Sequence, residues 1–326
     1  MGKYRACIAA MVAALAMLPD NTPAAPADSY PARQIRLVVP YPPGGGNDVV
    51  GRLIAKELQE GLGAEVLVEN RGGAGGTVGT GLVARSPADG YTLLINNVSL
   101  ATSVSLFSSL PYHPAQDLAP VSIVGYQPNV LLASPMLKVT SVRELLALGA
   151  KLEGGLIYGS GGPGSAGHLA TEKLRLATGA AMVHVPYRGL APAMTGLARG
   201  RVEMVVATVS TAMPAIEAKQ VRPLAVTGAR RFSLLPNLPT MREAGVANYE
   251  VATWYAVLVP ARTPVPIIAR LNAELSRVSA NETVVAEFRR RGLDTGHTSP
   301  DEALVYLRTE IESWAGVIRS AGINPR

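Results

Sequence analysis

Alternation is the feature that most constrains this chain. From residue 34 almost to the C-terminus, short apolar strand-like segments and amphipathic helix-like segments follow one another. Residues 34–39 (QIRLVV) read as a buried strand. Residues 48–62 read as a helix, with Val50, Leu53, Ile54 and Leu58 on one face. Residues 65–69 are the next strand, 75–85 the next helix and 91–96 the third strand. A β-α-β-α-β run predicts a parallel sheet with helices on both faces, because parallel neighbours need a crossover that packs back over the sheet. The middle repeats the pattern. Strands are expected at 121–124, 130–134, 156–158, 182–185, 202–207, 223–226 and 251–260, and helices at 141–150, 165–178, 191–199 and 211–219. The last quarter reads as helical. Thr263 and Pro264 supply an N-cap and an N1 proline. Ser299-Pro300-Asp301-Glu302 is a capping box ahead of an apolar stripe, Leu304, Leu307, Ile311, Trp314 and Ile318.

The first 27 residues stand outside this pattern. Lys3 and Arg5 precede an uncharged, mainly apolar run from Ala6 to Leu18, and Ala25-Pro26-Ala27 offers small residues at a cleavage site. This layout predicts a secretory signal peptide cut near Ala27/Asp28. The run is too short for a membrane span, which needs about 20 residues. Cys7 is the single cysteine and would leave with the signal, so thiol nucleophiles, thiolate metal sites and disulfides are excluded from the mature chain. No later stretch is apolar for long enough to span a bilayer, and the product is expected in the periplasm. About 300 residues remain, more than one core usually supports, so two lobes facing each other across a cleft are expected. The formal charge of +6 is scattered rather than tracked. That argues against nucleic acid and for a mild field that draws in acidic solutes.

Three glycine-rich loops each join an expected strand to an expected helix: residues 40–48 (PYPPGGGND), 70–77 (NRGGAGGT) and 159–168 (GSGGPGSAGH). Glycine lets the backbone approach a ligand closely. The helix that follows presents unpaired N–H groups and the positive end of its dipole. Together they make an anion site that needs no arginine. The rival chemistries fit poorly. No loop ends in the Gly-Lys-Ser/Thr of a P-loop. The third loop matches G-x-G-x-x-G, but the next strand ends in Pro186-Tyr187-Arg188, with no acid to hold a ribose. No G-x-S-x-G elbow surrounds Ser160 or Ser165. The four histidines show no metal-ligand spacing, so neither a metal nor a cofactor is expected. His168 could donate to a ligand or simply bond a neighbouring loop. His184 reads as a core histidine, and Asp48 as a residue that caps its helix and orients the first loop. A hydrolase or isomerase would need a nucleophile–base pair, and the pattern shows none.

These motifs closely resemble the Bug-type periplasmic solute receptors, the extracytoplasmic receptors of tripartite tricarboxylate transporters. The resemblance runs through Arg36-Leu37-Val38-Val39 with the first loop, residues 70–76, residues 88–94 (ADGYTLL) and residues 159–169. It continues through residues 185–189 (VPYRG), 223–227 (PLAVT) and 236–240 (PNLPT), Trp254-Tyr255 and Arg270-Leu271-Asn272. It implies an α/β, two-lobed periplasmic binding protein fold of type II-like form, closing on its ligand by a hinge. The lobes would be residues 28–130 with 252–326, and residues 131–251. It also implies a receptor that is not an enzyme and captures a small carboxylate for a membrane transporter; nothing in the sequence suggests more than a monomer. A receptor that docks on a membrane sensor kinase is the alternative. The ligand residues it implies are Tyr41, Gly45, Asp48, Gly75, Gly76, Thr77, Ser160, Gly164, Ser165, His168, Tyr187 and Thr208. Two departures bear on specificity. Tyr41 stands where the family often has Phe and would bring a hydroxyl into the cleft. Ala207-Thr208 stands where it often has Asp-Asn, so the far wall lacks a carboxylate to hold a ligand amine. A plain or aromatic carboxylate is therefore expected over an amino acid.

Overall fold

The computed structural model describes residues 30–44 and 46–325. The expected signal peptide, residues 1–27, and the candidate residue Gly45 lie outside the described residues.

The N-terminal part builds a three-stranded parallel core. β1 (Ile35–Val39) pairs with both β2 (Val66–Asn70) and β3 (Thr92–Asn97), giving the order β2-β1-β3. Helix α1 (Gly46–Leu62) joins β1 to β2 and buries Val50, Ile54, Leu58 and Leu62, the i, i+4 stripe that the sequence spells out. A single 3₁₀ turn (Ala74–Gly76) leads into α2 (Thr77–Ala84). Helix α3 (Ser99–Leu106) follows β3 directly and was not expected. Its sequence, SLATSVSL, is rich in Ser and Thr, carries no apolar stripe and has no glycine before it.

The second correction concerns the strands expected at 121–124 and 130–134. They are one 16-residue strand, β4 (Leu118–Ala133). Pro128 reads as a breaker because it has no N–H to donate. Here it costs no ladder bond, because it lies where β4 changes partners. Residues 118–128 pair antiparallel with β9 (Ala252–Pro260), whereas residues 129–133 pair with β7 (Met204–Thr208) and β8 (Arg222–Val226). β4 therefore belongs to two sheets. The first runs β2-β1-β3-β9-β4, with β10 (Asp294–Thr295) on its edge. In the second, β5 (Leu156–Ser160) pairs in parallel with β6 (Met182–Pro186) and with β7, while β4 runs antiparallel to both β7 and β8. The parallel sheet expected from the alternation is thus confined to two three-stranded cores, with antiparallel β4 and β9 joining them.

Helices cover both faces. Between β4 and β8 they are α4 (Val142–Gly149), α5 (Ala166–Thr178), α6 (Leu190–Ala198) and α7 (Val209–Glu217). After β9 come α8 (Val265–Ala280), α9 (Glu282–Arg290) and α10 (Pro300–Ser320). Helix α8 starts one residue later than expected. Pro264 is its N-cap, and the Thr263 hydroxyl donates to Pro260 O at 2.8 Å. The capping box of α10 is present as read, with the Ser299 and Glu302 side chains each accepting the other's backbone N–H. One apolar core covers one face of the first sheet (Leu37, Ile54, Leu271, Phe288) and another one face of the second (Val130, Val205, Leu197, Phe232). The largest is shared: Leu94, Leu131, Leu156, Trp254, Leu307 and Trp314 pack together, and α10 spans the two lobes.

Candidate ligand-binding site

The loop after β1 is shaped by Asp48. Its carboxylate is buried, with Oδ2 accepting from Gly44 N at 2.9 Å and Arg52 Nε at 3.1 Å, and Oδ1 from Asn70 Nδ2 at 2.9 Å. Burial alone would raise this carboxyl, but the bonds from Arg52, Gly44 and Asn70 outweigh it and hold the group below the usual carboxylate range. Asn70 also donates to Tyr41 O at 3.0 Å, which ties the first loop to the end of β2. The Tyr41 hydroxyl donates to Gly75 O at 3.0 Å and shares a short hydrogen bond with Ser99 Oγ. Burial pushes it up to about 12. The extra hydroxyl relative to Phe therefore welds the first loop, the second loop and α3 together. Behind it, Ser99 Oγ bonds Asn96 Oδ1, Asn96 Nδ2 bonds Thr80 Oγ1, and Thr80 Oγ1 donates to Gly76 O.

The third loop is held from the second lobe's interior. Ser165 caps α5 and accepts from His168 N. Gly162 N donates to Ser160 Oγ at 3.1 Å, and Gly164 N to His168 Nδ1 at 2.9 Å. Ser160 Oγ also lies 2.6 Å from His184 Nε2. The structure thus contains the serine–histidine contact that the sequence pattern does not show. Ser160 is 0% exposed, however, so no substrate carbonyl can reach its oxygen. The imidazoles of His168 and His184 stack at 4.0 Å. Burial, with the neighbouring His184 adding to it and Glu172 opposing, pushes His168 down to about 4, and burial also lowers His184.

Between the lobes lies a cavity of about 740 Å³. Tyr41, Pro42, Pro43, Gly46, Asn47, Gly75, Asn97, Ser99, Thr102 and Phe107 form one wall. Pro163, Gly164, Ser165, Ala166, Thr208, Ser210 and Thr211 form the other, with Gln127, Asn129, Thr253, Tyr255 and Trp314 behind. Four helices, α1, α3, α5 and α7, begin at this cleft, so unpaired N–H groups and positive dipole ends converge on it from both lobes. No Lys, Arg, His, Asp or Glu is among the described residues that line it. The back wall is wired across the lobes: the Tyr255 hydroxyl donates to Gln127 Oε1 at 3.1 Å, and Gln127 Nε2 to Ser210 Oγ at 2.8 Å. Asn47 is buried in this wall, and its Oδ1 has no hydrogen-bond partner among the described residues.

Of the candidate residues, Tyr41, Gly75, Gly164, Ser165 and Thr208 face the cleft. Six do not line it, each for a visible reason. Asp48, Ser160 and His168 are buried and occupied with the loop bonds just described. Gly76 lies against the Tyr41 hydroxyl, where a Cβ would come within 2.9 Å. The Thr77 hydroxyl donates to Ala74 O at 3.0 Å. Tyr187 packs into the second lobe's core, its hydroxyl over Gly196. Sequence reading missed Asn47, Asn97, Ser99, Gln127, Ser210, Thr211, Tyr255 and Trp314. Ser99 and Ser210 stand at helix starts that follow a strand without a glycine, so a search for strand-to-helix junctions in general would find them. Nothing local marks Gln127, Tyr255 or Trp314, which only the tertiary fold brings to the cleft.

Comparison with known proteins sets this geometry in a family. Residues 50–323 match the model of the tripartite tricarboxylate transporter family receptor. The chain belongs to this family. Protein BugT of Bordetella pertussis is 40% identical over 298 residues, covering 91% of each chain. R. palustris Rpa4515, solved with adipate, superposes with a TM-score of 0.79 at 38% identity, over 91% of this chain and 100% of its own. MatC from Rhodopseudomonas palustris, solved with bound malate, superposes at 0.73 with 30% identity, over 89% and 100%. The receptor is a two-lobed solute-binding protein and not an enzyme, as the resemblance implied. No helix among the described residues is long and apolar enough to cross a membrane.

Proposed function

We propose that this receptor captures a small carboxylate without an amino group, a di- or tricarboxylate or an aromatic acid, in the periplasm and delivers it to the membrane subunits of a transporter. One observation carries this reading: helix N-termini, hydroxyls and amides line the interlobe cavity, with no charged side chain among the described residues that line it. An anion is stabilised there by dipoles and N–H groups. An ammonium group would find no carboxylate, and Thr208, bonded to Thr211 Oγ1 at 2.9 Å, holds the place of a possible acidic partner. Phe107, Leu106, Val251 and Trp314 add apolar surface suited to a carbon chain or ring. The adipate and malate found in the two related structures are acids of this class.

The hinge in this reading is β4 with the return of the chain into β9. Residues 28–130 and 252–326 form one lobe and residues 131–251 the other, which agrees with the change of pairing partner at residues 128/129. Residues 1–27 are the signal peptide, cut near Ala27/Asp28. One chain supplies both walls of the cleft, so the receptor works as a monomer, and the family description favours a transporter over a sensor kinase as its partner. Thermal-shift and calorimetric screening of residues 28–326 with adipate, malate, benzoate, aspartate and glutamate tests this. A non-amino carboxylate should raise Tm. Stabilisation by aspartate or glutamate alone would sink the reading.

A further inference from the structure

We propose that the stacked His168–His184 pair is the support that holds the third loop in its binding shape, and that it does so only while His168 is neutral. This rests on the reading of the Ser165 loop as part of the ligand seat. A backbone N–H can only donate, so the bond from Gly164 N requires a lone pair on His168 Nδ1 and places the ring proton on Nε2. Ser160 Oγ accepts from Gly162 N, donates to Gly162 O at 3.2 Å and lies 2.6 Å from His184 Nε2. The Gly164 amide is thus anchored on an imidazole lone pair, and the Gly162 amide on a hydroxyl that bonds the second imidazole. Ser165 Oγ accepts from His168 N, which leaves its hydroxyl hydrogen for the cleft that Gly164, Ser165 and Ala166 line.

A protonated imidazole donates from both nitrogens. Protonation of His168 would set Nδ1–H against Gly164 N–H, whereas the Ser160 hydroxyl, with Gly162 O to take its own proton, can accept from a protonated His184. At a ring separation of 4.0 Å the two cannot both carry charge readily, and it is a proton on His168 that changes the loop. The groups facing the pair are known on every side. Tyr158 of β5 stacks on His184 at 4.9 Å. Glu172, one turn along α5, is held by the Tyr158 hydroxyl at 2.6 Å and Arg175 Nε at 2.8 Å. Helix α6 and strand β7 bring no titratable side chain. α10 meets α5 at Lys173, which lies over Trp314. Among the described residues Glu172 is the charge that favours a proton on the pair, and its oxygens are already engaged.

The test uses His168→Ala and His168→Asn in the mature protein. Asparagine can accept the Gly164 N–H through Oδ1 but does not titrate. Two readouts are followed from pH 7.5 to pH 4: NMR-detected hydrogen exchange at the Gly162 and Gly164 amides without ligand, and adipate affinity by calorimetry. In the wild type, Gly164 protection should fall as the pH drops. His168→Ala should lose that protection at pH 7.5 and weaken adipate about tenfold, the scale of one lost buried hydrogen bond with its partner left unpaired. His168→Asn should restore both relative to alanine and flatten the pH profile that adipate's own protonation does not explain. Superimposable wild-type and His168→Asn profiles, or unchanged Gly164 protection in His168→Ala, would overturn the proposal. Exchange that responds as described while adipate fails to bind at any pH supports the histidine support and counts against the carboxylate reading alone.

Discussion

Gly79 and Gly316 both lie inside helices, and alanine at the two positions should move stability in opposite directions. An ideal Cβ on Gly79 of α2 would lie 2.6 Å from Arg71 O and 2.9 Å from the Cα and Cβ of Pro40. Ordinary contact begins at 3.4 Å, so the shortfall toward Arg71 O is about 0.8 Å. Two of these neighbours are main-chain atoms, of the first and second loops, and neither can rotate away. Helix α2 must instead lift off both loops, which at usual overpacking costs is about 1–3 kcal/mol. For a chain of this size that lowers Tm by roughly 2–10 °C. Because the displaced loops carry Tyr41 and Gly75, adipate should also bind about fivefold more weakly or worse, the equivalent of roughly 1 kcal/mol. A Cβ on Gly316 of α10 meets nothing within 4 Å. There alanine removes only glycine's backbone entropy cost and should stabilise by about 0.5–1 kcal/mol, with affinity unchanged. Differential scanning calorimetry and adipate titration on both variants check this. A shift of the same sign in the two variants, or full affinity in Gly79→Ala, would refute the claim that the loops are seated against α2.

Thr208→Asp should fold, since aspartate is a good helix N-cap, yet it should weaken adipate about tenfold or more and improve glutamate, as read by calorimetry. Asp48→Asn should lower Tm by several degrees, because it weakens three bonds at once to a buried group at a cost of about 1–3 kcal/mol. Tyr41→Phe should cost about 1 kcal/mol and a few-fold in affinity without abolishing binding, since its hydroxyl braces the loops and is not free in the cleft. Stability should be at its full value above about pH 6.5 and fall as the pH drops toward about 4. In that window the unfolded His168 binds a proton that the folded one refuses. Asp48 adds to the loss as the pH falls further, its folded carboxyl being depressed. Chemical denaturation across pH 4–8, with His168→Asn as the comparison, measures the histidine part.

Much of the fold was readable because local pattern and burial agree. The α1 stripe, the α10 capping box and the alternation of β1 to β3 all carry their own signals, and the order of motifs pointed to the family. What local pattern could not reveal was tertiary. The strands expected at 121–124 and 130–134 are one because β4 continues through Pro128 by exchanging pairing partners, which local pattern does not encode. Helix α3 has neither stripe nor glycine, and it is held in place by packing under α10. In the site, glycine marked three of the loops that reach the ligand space, yet it also drew attention to Gly76 and to Thr77, which serve the backbone. His168 and Ser160 have the chemistry of ligand contacts and the burial of struts, a difference that no spacing encodes. The back wall of Gln127, Tyr255 and Trp314 comes from segments far apart in the chain.

The position of β9 between β3 and β4 has a temporal side. Every strand of the second sheet lies within residues 118–226, so that lobe has all its strands before the last hundred residues arrive. The first sheet has a gap in its middle until residues 252–260 fill it, and until then β3 and β4 each expose an unpaired edge. A chain that stops at residue 251 can finish only one lobe. The C-terminal quarter is thus the keystone of the lobe that the N-terminus begins, and an unfinished chain carries its two stickiest edges toward the same empty slot.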